Sequence, residues 1–319
     1  GLQLGPCQGP LARCTARSCK HILSLVGEGL CCVLPAKVLV EIEQRLRCPI
    51  AHLFSAVAGA STSSILIAGL CVPTVSQEQI DTADGCKCPK MSASQVFDLY
   101  VQGNLLLQEG QHAELGNMLQ REVGDVLCND LLSEVFLLSG LEEPQQPRVF
   151  TRTCAQHDLK VFDAVLAASA AAVPALAHSL SFNGKEGVPL QVTDAPIMAL
   201  EYVRRSFPDA KVSLLSLGTG SGGIYPKSSP DALWWEGVDT VDLRGASTHR
   251  ELLMQSNRSD DFDYIYWKPT LHSAGLPMQE LLSASEHAIE CAYAAEDNWF
   301  NKLLESLSDS EDVVSQYAG

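Results

Sequence analysis

Basic residues are scarce in this chain of 319 residues: 22 Lys and Arg stand against 38 Asp and Glu, a net charge of −16. So acidic a body argues against binding a phosphate backbone, because there is little positive charge to release counterions. It also gives no general attraction to an anionic membrane surface. Metal-binding patterns are missing as well. The 12 cysteines include no two CxxC pairs at zinc-finger spacing, and no HExxH or i,i+4 histidine pair occurs. No cofactor motif stands out, so neither a metal nor a cofactor is expected. No uninterrupted apolar run is long enough to span a bilayer, which takes about 20 residues. Leu53–Val72 is apolar but rich in Ser, Gly and Ala, and Val161–Phe182 contains Asp163, Pro174 and His178. No hydrophobic signal sequence opens the chain and no internal repeat is visible.

What is present is a large apolar fraction, 46%, with 19% charged residues. That supplies a sizeable core and rules out global disorder. Cys31, Cys32, Cys48, Cys71, Cys128, Cys154 and Cys291 sit in or beside apolar runs and read as small buried hydrophobes in a reducing compartment, cytoplasm or organelle. Cys86-Lys87-Cys88 falls in a loop, and Cys7, Cys14 and Cys19 fall in an N-terminal arm. Residues 1–27 contain no acid but carry Arg13, Arg17 and Lys20. That pattern is shared by a disordered arm and by the remnant of an organelle presequence.

Strands and helices alternate along the sequence. The patterns predict a strand over His21–Val26, a helix opened by Pro35 with Val38, Leu39, Ile42 and Leu46 at helical spacing, and a strand over Ile50–Val57. A helix then runs through Leu70, followed by helices over Ser92–Leu107 and Leu115–Leu138. Further on come a strand over Arg148–Thr153, an Ala-rich helix over Leu159–Ala177, and a hairpin turn at Asn183-Gly184-Lys185-Glu186-Gly187. A strand-like stretch, Val188–Thr193, leads to a helix starting at Asp194-Ala195-Pro196, with Asp194 as a natural cap. Strands over Val212–Leu217 and Asp263–Trp267, a short helix near Glu251 and a last helix over Ser283–Leu307 complete the pattern. This order implies an α/β fold with a central, mostly parallel sheet flanked by helices. The expected organisation is an arm over 1–20, one domain over 21–307 and an acidic tail over 308–319.

The sharpest chemical feature is Ser61, between an apolar strand and a helix, within Gly59-Ala60-Ser61-Thr62-Ser63. A nucleophile elbow exposes a serine hydroxyl on such a turn, beside a helix N-terminus whose amides can hold an oxyanion. A small-residue helix start with serine as its cap has the same local sequence. The other candidates are isolated. Gly218-Thr219-Gly220-Ser221-Gly222-Gly223 lacks a P-loop lysine, Asp84 and His272 stand without partners, and Trp234-Trp235 is either an interfacial anchor or a pair packed under its loop.

Taken in order, these segments resemble the patatin-like phospholipase family over roughly residues 21–306. The family's D-G-G-G-x-R-G oxyanion loop corresponds to Val26-Gly27-Glu28-Gly29-Leu30-Cys31-Cys32, and its G-x-S-x-G to Gly59–Ser63. Its W-D-A-A-x-A-T-S-A-A helix corresponds to Phe162–Ala171, and its N-N-P-x-x-A-L to Asp194-Ala195-Pro196-Ile197-Met198-Ala199-Leu200. Its S-L-G-T-G matches Ser216–Gly220 letter for letter. The resemblance implies a patatin-like three-layer sandwich and lipid acyl-ester hydrolysis by a Ser–Asp dyad. Ser61 would be the nucleophile, and Gly27, Glu28, Gly29 and Leu30 would bind the oxyanion.

Departures in three elements, the oxyanion loop, the elbow and the base, bear on that chemistry. Glu28 puts a carboxylate where the oxyanion develops, and losing one oxyanion donor costs about 10²–10³ in rate. Cys31 takes the place of the family's Arg, and Ser63 that of the second elbow glycine. No D-G-G or D-G-A supplies the catalytic Asp, which leaves Asp194 as the nearby carboxylate. The preferred expectation is a pseudoenzyme that binds an acyl lipid or serves protein partners in a larger assembly. The alternative is an active hydrolase with Ser61 as nucleophile and Asp194 as base.

Overall fold

The computed structural model describes residues 19–26, 32–74, 87–139, 148–153, 159–169, 181–182, 185–186, 195–218, 248–267, 278–294 and 299–308. Six strands form one sheet in the order β4-β3-β2-β1-β7-β8. They are β1 (Cys19–Val26), β2 (Ala56–Ala60), β3 (Glu134–Ser139), β4 (Arg148–Thr151), β7 (Lys211–Gly218) and β8 (Phe262–Trp267). All neighbours are parallel except β3 and β4. A separate two-stranded hairpin pairs β5 (Ser181–Phe182) with β6 (Lys185–Glu186).

Side chains alternate across a pleated strand, so one buried strand serves two cores. In β3, Val135 and Leu137 join one core while Phe136 and Leu138 join the other. The larger core also takes Leu23, Leu25 and Val57. It is roofed by α1 (Val33–Leu46), α3 (Ser63–Cys71), α4 (Ala93–Gln108), α5 (His112–Val123) and α6 (Val161–Ser169). The smaller core packs Ile22, Ala56, Ala58 and Leu214 under α7 (Ala195–Ser206) and under Leu252 of α8, a helix over 248–256. The C-terminal helices α9 (Met278–Ala294) and α10 (Trp299–Ser308) return to the larger core through Ile289, Leu303 and Leu307. The molecule is therefore a three-layer α/β sandwich.

The layering follows from connection handedness. The chain passes from β1 through α1 to β2 in one direction along the sheet. The β7-to-β8 step runs the opposite way, so a right-handed crossover puts its helix on the opposite face. The strand order thus reverses between β1 and β7, where Val26 pairs with Gly218. In open α/β sheets the crevice outside the carboxyl ends at such a point is where ligands sit.

Several expectations need correction. Ile50–Leu53 is a one-turn helix, α2, and β2 begins only at Ala56. Pro49, at φ −57°, ψ 139°, sets the chain up for a helix start. The buried Glu43 carboxylate then accepts the Ile50 N–H at 3.2 Å and, with its other oxygen, the Ala93 N–H at 2.7 Å. The helix expected over Leu115–Leu138 ends at Val123, because Gly124 turns the chain with φ 44°. The Glu134–Ser139 segment then alternates between the two cores as a strand. The last helix is divided into α9 and α10. Cys291 is exposed rather than buried, whereas Cys32, Cys48, Cys71 and Cys128 are buried as expected. Cys19 and Lys20, expected in the arm over 1–20, open β1 instead, because they pair in register with Lys211 and Val212 of β7. Cys31 and Cys154, the Val188–Thr193 stretch, residues 1–18 and the tail from 309 lie outside the described residues. No helix among the described residues is long and apolar enough to cross a membrane.

One buried group makes stability depend on pH. His21 on β1 is 3% exposed and its Nε2 has no partner. Burial, followed by the charge of Lys20, lowers its pKa from 6.5 to about 4. Above 6.5 the imidazole is neutral whether the chain is folded or not. Below that the unfolded chain takes up the proton first, so stability falls as pH drops towards 4 and then levels off. The loss is roughly 3 kcal/mol over that window. In urea titrations at pH 7.0 and 4.5, His21→Leu should lose clearly less stability between the two pH values than the wild type. An equal loss in both proteins would contradict this origin.

Candidate functional site

The Ser61 turn is built by close packing of α3 against the ends of β1 and β2. Residue 59 must be glycine. A Cβ there would lie 2.5 Å from Ser63 Oγ, 2.7 Å from Ile67 Cδ1 and 3.3 Å from the Leu25 carbonyl. After Ala60 the chain reverses at Ser61, whose φ of 57° is left-handed. That conformation costs a non-glycine residue about 1–2 kcal/mol. Thr62 returns to right-handed backbone, and α3 begins at Ser63.

Serine hydroxyls fasten the turn. Ser63 Oγ donates to the Ala60 carbonyl at 2.6 Å and accepts the Ala60 N–H at 3.0 Å. A side chain at the second glycine position of the elbow pattern is thus accommodated by being folded into the turn itself. The Ser61 carbonyl accepts both the Ser64 hydroxyl, at 2.6 Å, and the Ser64 N–H, at 3.1 Å. Thr62 Oγ1 accepts a hydrogen bond from the buried Tyr100 hydroxyl at 3.1 Å and lies 3.9 Å from Cys32 Sγ. Burial pushes the Tyr100 phenol far above its ordinary value, so it stays a protonated donor. Asn104 Nδ2 in turn donates to the Tyr100 carbonyl at 2.8 Å.

The Thr62–Cys32 contact brings two helix N-termini together, since Cys32 is the N-cap of α1 and Thr62 the N-cap of α3. Neither end has a capping side chain or an acidic residue in its first turn. Each carries about half a positive charge from its aligned peptides. At their junction Ser61 is 6% exposed, and its hydroxyl has no hydrogen-bond partner. The arrangement can hold an oxyanion or a carboxylate. Among the described residues no carboxylate or imidazole reaches Ser61 Oγ to take its proton.

The structure places Gly59, Ala60, Ser61, Thr62 and Ser63 on the turn between β2 and α3, with the Ser61 hydroxyl buried rather than exposed as an elbow nucleophile was expected to be. The oxyanion-loop candidates Gly27, Glu28, Gly29 and Leu30, with Cys31, lie outside the described residues, and so does Asp194. Asp84, Trp234, Trp235, His272 and the 219–223 glycine run also lie outside them. Sequence reading missed the Asn104–Tyr100–Thr62–Cys32 arrangement. Tyr100 falls on the apolar stripe of α4, and nothing local announces that its hydroxyl faces the elbow. The described residues contain no cluster of His, Cys, Asp and Glu able to hold a metal. Compared with known proteins, the chain matches no family model and no curated protein.

Two substitutions test the turn. Gly59→Ala should destabilise the protein by about 1–3 kcal/mol in urea unfolding through overpacking. Adding Ser63→Gly should return part of that loss by removing the nearest atom, so the pair should be non-additive. At position 61 the left-handed backbone reverses the usual order of residues. Ser61→Gly should be at least as stable as Ser61→Ala, although glycine ordinarily costs about 0.5–1 kcal/mol relative to alanine. A glycine variant clearly less stable than the alanine variant would refute the strain.

Proposed function

We propose that this chain is a patatin-like protein that binds the acyl group of a lipid at the Ser61 turn without hydrolysing it, with a structural role in a larger protein assembly open to it. The observation that carries the reading is the Ser61 hydroxyl, buried and unpartnered where two uncapped helix N-termini meet. Such a junction favours the anionic head of an acyl chain. The turnover machinery is what the sequence departs from. Glu28 would oppose an oxyanion, Cys31 replaces a family arginine, and the family's D-G-G or D-G-A is missing. The placing of many cysteines in or beside apolar runs of the sequence supports a reducing compartment.

One observation favours the second reading, an active hydrolase using Asp194 as base. A left-handed serine at the end of a parallel strand is the strained geometry that presents a nucleophile. Two measurements separate the readings. A serine-directed fluorophosphonate probe and a panel of acyl esters should give no labelling or turnover that depends on Ser61. Meanwhile cis-parinaric acid should bind the wild type and be displaced by oleate. Labelling and turnover abolished by Ser61→Ala and by Asp194→Asn would establish the hydrolase instead. Absence of both binding and turnover would remove the acyl ligand and leave the assembly role.

A further inference from the structure

A second group of reactive side chains lies far from the Ser61 turn in sequence, on α9. Cys291 is the one cysteine classed as exposed among the described residues. One helical turn earlier, His287 places its Nε2 3.6 Å from Cys291 Sγ. The other ring nitrogen, Nδ1, stands 4.0 Å from Oε2 of Glu290. Residues 287, 290 and 291 share a helix face because i,i+3 and i,i+4 side chains are neighbours. With its proton on Nδ1, facing the Glu290 carboxylate, the imidazole offers Nε2 to the thiol proton. The order is nucleophile, base and a neighbouring carboxylate, all on one solvent-facing surface.

We propose that Cys291 is a thiol-modification site, activated by His287 and selective for a cationic low-molecular-weight disulfide. The step is thiol–disulfide exchange. His287 Nε2 takes the Cys291 proton, the thiolate attacks one sulfur of the disulfide, and the S–S bond of the reagent breaks. A mixed disulfide forms on Cys291, and the second sulfur leaves as a thiolate that collects a proton. No net oxidant is consumed beyond the disulfide itself. Selectivity follows from charge. The net charge of −16, with Glu290 beside the imidazole, disfavours an anionic reagent and favours a cationic one. The buried thiols Cys32, Cys48, Cys71 and Cys128 are withdrawn from this chemistry. The site is independent of any acyl ligand at Ser61.

The test treats the full-length chain at pH 7 with cystamine, a dicationic disulfide, or with oxidised glutathione, which is anionic. Mass mapping follows the rate at each cysteine. Cys291 should react faster than the half-buried Cys19 and Cys88, and faster with cystamine than with oxidised glutathione. His287→Gln should slow Cys291 by roughly threefold, the size expected of an exposed pair, and leave the rates at Cys19 and Cys88 unchanged. His287 is exposed, so this variant keeps the fold. In denaturant the same substitution should change nothing, which separates activation by the helix geometry from an effect of sequence. The proposal is overturned if His287→Gln leaves the folded rate unchanged, if the effect persists in denaturant, or if oxidised glutathione is the faster reagent.

Discussion

The approach of α3 to the carboxyl ends of β1 and β2 is the constraint on which the rest of the site depends. Gly59 leaves room for Ser63 Oγ and Ile67, and any Cβ would close it. That close seat allows the Ser63 hydroxyl to bridge both polar groups of Ala60. It also leaves the chain two residues in which to turn from strand to helix, which a left-handed Ser61 makes possible. The backbone strain at Ser61 and the unpartnered hydroxyl both cost free energy. Both are held in place because the turn is clamped between apolar layers on each side, through Ile67 and Leu25 on one face and Ala58 on the other.

A second constraint acts on the helices around that turn. Buried polar groups cost stability unless they are hydrogen-bonded, and then they favour one arrangement over others. Glu43 is such a group. It spends each carboxylate oxygen on the first amide of a different helix, and burial raises its pKa while the two backbone N–H groups oppose the rise. Tyr100 does the same between α4 and the elbow. Both residues fix α4 against elements that lead into Ser61. An apolar pair at these positions would bury more hydrocarbon but would leave the helices free to slide.

Much of this was legible in the sequence because it rests on local patterns. Apolar runs gave β1 and β7, the helical spacing from Val38 to Leu46 gave α1, and the strand–turn–helix order gave the elbow at Ser61. The α/β class and the mostly parallel sheet followed from the alternation. What failed depended on distant partners. Ile50–Leu53 has the apolar content of a strand, and only Pro49 and the Glu43 carboxylate make it a helix. Glu134–Ser139 continues the hydrophobic run of α5, and only Gly124 and the two-faced core make it a strand. Tyr100 looked like an ordinary core residue, since its hydroxyl acquires a role only when α4 is laid against Thr62.

The layers also bear on the proposed acyl seat and on the alternative base. The Ser61 turn is built from β1, β2, α1 and α3, of which the two helices belong to the larger core and the two strands serve both. Asp194 immediately precedes α7, whose Ala195, Ala199 and Val203 belong to the smaller core on the opposite face. In the proposed reading, binding would rest on a turn whose residues also close β2 onto α3, whereas hydrolysis would need a base from a further segment.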